Sequence, residues 1–264
     1  IDVTVDPVSD TPTVVVDDAA GKEDLGTAGD QIAAIPDPAS GNIPLSITLT
    51  TGEGGTESGY VILSGYPAGV TFSVGVADAG GWRVEQADLG SLAITGLPED
   101  SDSDFSITVT PYSQDGVATA VAGIAGTIDV LIDAVADIPT LTLDGAAAND
   151  AVSGDEDTAI ALPDVAAGLQ DTDGSETLSV SISGVPLGAT LSDGVNSFVG
   201  DGAAVVVTGW DLANLTILSA PDDDSDFTLT VTATSTEGAA EAPGSELQDA
   251  DNTASTSFTI DVTV

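Results

Sequence analysis

Carboxylates crowd into a few short stretches of this chain instead of spreading over it. Asp222-Asp223-Asp224-Ser225-Asp226 places four acids in five residues, and Glu99-Asp100-Ser101-Asp102-Ser103-Asp104 is built alike. Asp155-Glu156-Asp157 and Glu23-Asp24 each follow a glycine closely. Asp171-Thr172-Asp173-Gly174-Ser175-Glu176 carries acids at its first, third and sixth positions, and Asp133 and Asp137 bracket a short segment, as Asp6 and Asp10 do. Stacked like charges weaken a fold unless a cation sits among them. Oxygen-only donors in flexible loops suit calcium, which takes about 6–8 hard oxygen ligands, whereas magnesium tends to keep its waters. The Asp171 loop is no EF-hand, since it lacks the twelve-residue spacing and closing glutamate.

Composition narrows the chemistry further. There are 44 acids against two cations, Lys22 and Arg83, for a net charge of −42. That balance excludes nucleic acid as a partner, because phosphate binding needs clustered Lys and Arg. It also disfavours an anionic membrane surface. Cysteine and histidine are absent. Disulfides, thiolate or imidazole metal sites and nucleophilic triads built on His or Cys are therefore excluded. No apolar run is long enough to span a membrane, and no signal peptide opens the chain. Such a charge often means disorder, but 42% hydrophobic residues, rich in Val, Ile and Leu, predict a folded protein.

The elements that must position the acids are read from an internal repeat. Ile128-Asp129-Val130, Asp133, Asp137, Pro139 and Thr140 repeat Ile1-Asp2-Val3, Asp6, Asp10, Pro12 and Thr13 at an offset of 127. Gly65-Tyr66-Pro67-Ala68-Gly69 answers Gly184-Val185-Pro186-Leu187-Gly188, and Asp104 to Val109 answers Asp226 to Val231. Two copies of one domain are expected, in a piece of a longer tandem array. Period-2 alternation dominates, as in Phe105-Ile107-Val109, Phe227-Leu229-Val231 and Phe258-Ile260-Val262, which predicts half-buried strands. The expected fold is all-β, two tandem β-sandwiches, with single helical turns near Gln86–Leu89 and Trp210–Ala213. Residues 1–10 read as the tail of a preceding repeat, 11–132 as the first sandwich, 133–137 as an acidic linker and 138–264 as the second. The linker has no Gly or Ser and ends near Pro139, so it is not a flexible coil.

Asp133 to Leu141, Asp171 to Leu178 and Gly184 to Leu191 resemble the tandem repeats of large bacterial RTX adhesins exported by type I secretion. The resemblance implies immunoglobulin-like or cadherin-like extender domains on the extracellular bacterial surface, stiffened by calcium at their linkers, in adhesion or biofilm formation. Their partners are neighbouring repeats of the same chain and calcium ions, and the adhesive target belongs to another domain. Carried over by position, Asp133, Asp137, Glu156 and Asp157 are the calcium ligands of one junction, with Asp6, Asp10, Glu23 and Asp24 upstream. Asp171, Asp173 and Glu176 add a loop site. The first copy departs from this pattern, having Gly52-Glu53-Gly54-Gly55-Thr56-Glu57 where the second has Asp171 to Glu176.

Three rival readings compete with calcium-stiffened spacers. An acidic surface serves solubility in salt without specific ion sites, and the two readings can coexist. A glycosidase needs only paired carboxylates, but two Trp, three Tyr and five Phe leave little for sugar subsites, so no enzyme is expected. Trp82 and Trp210 precede matched Asp-Leu turns and read as packing residues. The stronger rival makes one repeat a glycan- or protein-binding module, because Tyr60, Tyr66, Tyr112 and Arg83 all fall in the first copy.

Overall fold

A computed structural model describes residues 7–23, 41–52, 57–98, 103–171, 174–238 and 252–264. These residues fall into two compact units that divide between Ala134 and Val135. The first holds β1 (Thr13–Val16), β2 (Ala19–Lys22), β3 (Ile43–Pro44), β4 (Ile47–Thr50), β5 (Glu57–Ser64), β6 (Thr71–Phe72), β7 (Val76–Asp78), β8 (Gly81–Glu85), β9 (Ala93–Gly96), β10 (Phe105–Asp115), β11 (Val121–Ala122) and β12 (Gly126–Asp133). The second holds β13 (Thr140–Leu143), β14 (Asp150–Ser153), β15 (Ile160–Ala161), β16 (Val165–Gly168), β17 (Glu176–Ser183), β18 (Thr190–Ser192), β19 (Ser197–Val199), β20 (Val205–Val206), β21 (Thr216–Leu218), β22 (Phe227–Glu237) and β23 (Thr253–Thr263).

Each unit is a β-sandwich with its own core. In the first, a sheet ordered β2-β12-β10-β5-β8-β7, with β11 on β10, faces the pair β1-β4 and the sheet β3-β9-β6. In the second, β14-β23-β22-β17-β20 faces β13-β16 and β15-β21-β18-β19. Alternation produces this: Ile107, Val109, Ile128 and Val130 point inward in one unit, and Leu229, Val231 and Ile260 in the other, all fully buried. The intervening Ser and Thr face outward, as a half-buried strand requires.

The two units share their register, which the sequence match anticipates. Tyr60 pairs with Tyr112 across β5 and β10, and Ser179 with Thr234 across β17 and β22. β2 runs parallel to β12, and β14 parallel to β23. Each parallel edge needs a glycine near its end for the same reason: a Cβ on Gly21 would lie 2.3 Å from Ile43, and one on Gly154 2.6 Å from Ile160. Of the two expected helical turns, Gln86–Ser91 forms a 3-10 turn. Near Trp210 the chain makes separate hydrogen-bonded turns, with Gly209 at φ 84° breaking the run. Among the described residues no helix is long and apolar enough to cross a membrane.

Candidate metal centre

At one end of the second sandwich, pairing brings carboxylates together. Glu176 opens β17 and lies directly opposite Glu237, the last residue of β22. Like charges facing each other across strands are unfavourable. The segment before β13 then passes over this end. The Asp137 N–H donates to Glu176 Oε1 at 2.5 Å, and the buried Ser235 hydroxyl donates to the Asp137 carbonyl. The Ser175 hydroxyl donates to Asp171 Oδ2 at 3.0 Å and reaches Glu237 Oε1 at 3.4 Å. A carboxylate oxygen of Asp171 lies within 4.8 Å of one of Glu237. Asp137, Asp171 and Glu176 are all buried.

Glu176 is the residue this arrangement leaves unfinished. It is 6% exposed, yet its Oε2 has no hydrogen-bond partner among the described residues. Burial pushes its carboxyl up from 4.5 to about 7; the Asp137 N–H opposes that, while the charges of Glu237, Asp137 and Asp171 add to it. A buried acceptor without a donor costs about 1–3 kcal/mol.

Asp193 shows what a purely structural buried acid looks like here. Its Oδ1 accepts the N–H groups of Val195 at 2.8 Å and Asn196 at 2.5 Å, and its Oδ2 accepts Asn196 Nδ2 and the Asp211 N–H, both at 2.9 Å. The Asn196 side chain, ahead of the backbone donors, holds this carboxyl far below the usual carboxylate range. Asp193 has its donors in the protein. Glu176 faces other acids.

The first sandwich repeats the frame with a different filling. Glu57 opens β5 opposite Asp115, as Glu176 does opposite Glu237. Its Oε1 accepts the Asp10 N–H at 2.5 Å and its Oε2 the Gly52 N–H at 2.9 Å, so both oxygens have donors. Gly52 stands where the second copy has Asp171, and a Cβ there would lie 2.3 Å from that of Asp10. The two glutamates should therefore respond oppositely to neutralisation in chelator. Glu57→Gln should cost the first unit about 1–3 kcal/mol by weakening charge-assisted bonds. Glu176→Gln should leave the second unit as stable or more so. Thermal melts of the two variants in chelator check this.

Asp6, Asp24 and Asp173 lie outside the described residues. Asp133 ends β12, and its carbonyl accepts the Glu23 N–H at 3.1 Å. Glu23 and Asp133 thus lie at the end of the first sandwich opposite Asp10 and Glu57. Glu156 and Asp157 likewise do not reach Asp137, contrary to the expectation that their turn joins it. Because β14 runs parallel to β23, Gly154 hydrogen-bonds Thr263 at the far end of β23, whereas Ser235 pairs Ala254 at its start. That separation is roughly 30 Å at about 3.3 Å per residue. At the far end Asp157 Oδ1 accepts the Asp222 N–H at 3.4 Å. Asp223 accepts the Ser225 N–H and Asp226 the Val264 N–H, both at 3.1 Å, so the first acid shapes its own turn and the second ties down the end of β23. Trp82 donates to the Val74 carbonyl at 2.7 Å and packs on the first core, and Trp210 packs on the second, as expected of packing residues.

Sequence reasoning missed Glu57, Glu237 and Asp115 as members of these ends. Their signal was position: Asp115 and Glu237 each stand ten residues beyond the matched Phe105 and Phe227.

No protein-family model matches the chain, and no curated protein matches it. Its structural neighbours are cadherin-like and other β-sandwich arrays at low identity. Mouse cadherin-23 repeats EC22–24 share 16% identity over 96% of this chain and 66% of that one, with a TM-score of 0.39. Human protocadherin-24 repeats EC1–2 share 12% over 98% and 99%, at 0.35. A SusE-like, surface-located polysaccharide-binding protein of Bacteroides thetaiotaomicron shares 9% over 94% and 95%, at 0.21. At these TM-scores the likenesses carry no residue and no function across.

Proposed function

We propose that the chain is a pair of calcium-stiffened extender repeats from a secreted bacterial cell-surface adhesin, spacing a distal binding domain from the cell. The observation that supports this most is the buried, donor-less Glu176 Oε2 among the carboxylates of Asp137, Asp171 and Glu237. The donor set is all oxygen, hard and anionic, and loop carbonyls can complete it, which fits calcium better than magnesium or a softer metal. Glu176, Asp171, Asp137 and Glu237 would hold the ion, and its charge would offset their repulsion. The linker contributes Asp137 to that set, so loading the site tethers the linker to the second sandwich. The RTX-like repeats, the duplicated frame and the absence of Cys and His accord with a secreted, non-enzymatic array.

Small-angle scattering of the intact chain tests this reading. With millimolar calcium the particle should be longer and narrower than in chelator, and magnesium should not substitute. Identical profiles in calcium and chelator would remove the spacer role.

A further inference from the structure

The outer face of the first unit's large sheet carries a cluster that the second unit lacks. Tyr60 and Tyr112 stack across β5 and β10, centroids 4.9 Å apart and planes 4° from parallel. The Arg83 guanidinium lies 3.6 Å over the Tyr60 ring and extends the stack across β8. Arg83 Nε bonds Glu85 Oε1 at 2.7 Å, and its Nη donors have no hydrogen-bond partner among the described residues. Tyr112 is half-buried at the other end of the stack, and its partner across β11 is the small, exposed Ala122. The register-matched positions in the second unit are Ser179, Thr234 and Val206. One frame, used twice, carries this surface once.

We propose that this face binds a neutral oligosaccharide, with Tyr112 as the stacking platform and Arg83 as the hydroxyl-binding fork. The C–H side of a pyranose ring is apolar and weakly positive at its edges, which suits a tyrosine face. Tyr60 holds the guanidinium over its ring, so the planar fork binds neighbouring oxygens at little entropic cost. The exposed Glu85 supplies an acceptor beside them. Charge selects the class of sugar. Arg83 is neutralised by Glu85, and a chain of net charge −42 repels sialylated, sulfated or uronate glycans. This reading is independent of the calcium site, which lies in the other unit.

The intact chain is titrated with neutral gluco-, manno- and galacto-oligosaccharides, tetra- to hexasaccharides, and followed by saturation-transfer NMR and calorimetry. At least one series should bind, equally in calcium and in chelator. Tyr112→Thr and Arg83→Val install the second unit's residues and should each weaken binding at least tenfold. Arg83→Lys keeps the charge but loses the fork, and should weaken binding several-fold with an unchanged melting temperature. The proposal is overturned if no neutral series binds, if the variants bind like the parent, or if anionic glycans bind better.

Discussion

Calcium at 100 times its dissociation constant should raise the melting temperature of the second repeat by roughly 8–13 °C at pH 8, with far less effect from magnesium. The expected size follows from linkage: saturating one native-only site at that ratio adds about 2.7 kcal/mol, and about 3–5 °C accompanies each kcal/mol in a domain of this size. The response should depend on pH in a definite direction. Without metal, the folded state holds a proton on Glu176 up to about 7, while the unfolded chain releases it near 4.5. Native stability is then fully present below about 4.5 and falls as pH rises through 7, by of order 1–2 kcal/mol after solvent screening at the sandwich end. Calcium needs the ionised carboxylate, so its affinity rises over the same interval. Calorimetric melts from pH 5 to pH 8 should diverge: the midpoint falls in chelator and is held or raised in calcium. Equal gains from calcium, magnesium and sodium at matched ionic strength would favour a salt-solvated acidic surface.

Replacing Leu229 by Ala should cost the second repeat about 2–5 kcal/mol, a fall of roughly 6–25 °C in its melting temperature. Leu229 is fully buried on β22 within the apolar cluster that forms the second core. The first core contains none of its neighbours. The loss should therefore be confined to one transition, seen as a shifted second-unit signal beside an unshifted Trp82 and Tyr60–Tyr112 signal. A parallel loss in both units would mean that the two cores do not fold separately.

What the residues revealed in advance, and what they hid, has a physical pattern. Strand identity was legible because burial on one face writes a period of two, as at Phe227-Leu229-Val231, and the repeat supplied the copy number. The acids were legible as clusters but not as sites. Glu156 and Asp157 look close to Asp137 in sequence, yet a strand parallel to β23 carries them to the far end of the sandwich. Glu237 is sixty-one residues from Glu176 in sequence, yet strand register sets the two side by side. Acids that share a local turn, such as Asp223 and Asp226, prove to accept backbone N–H groups. The carboxylate that matters is marked by lacking a donor, and only coordinates show that. Likewise Tyr60, Tyr112 and Arg83 were visible as residues of one copy, but their stack depends on pairing across three strands.

A crystal of the chain grown in calcium gives the most direct test of the central claim. The account predicts an ion about 2.3–2.6 Å from Glu176 Oε2, with further oxygens from Asp171, Asp137 or Glu237. Ordered density showing Glu176 without an ion in millimolar calcium, or calcium held only by the Asp155–Asp157 turn, would contradict it.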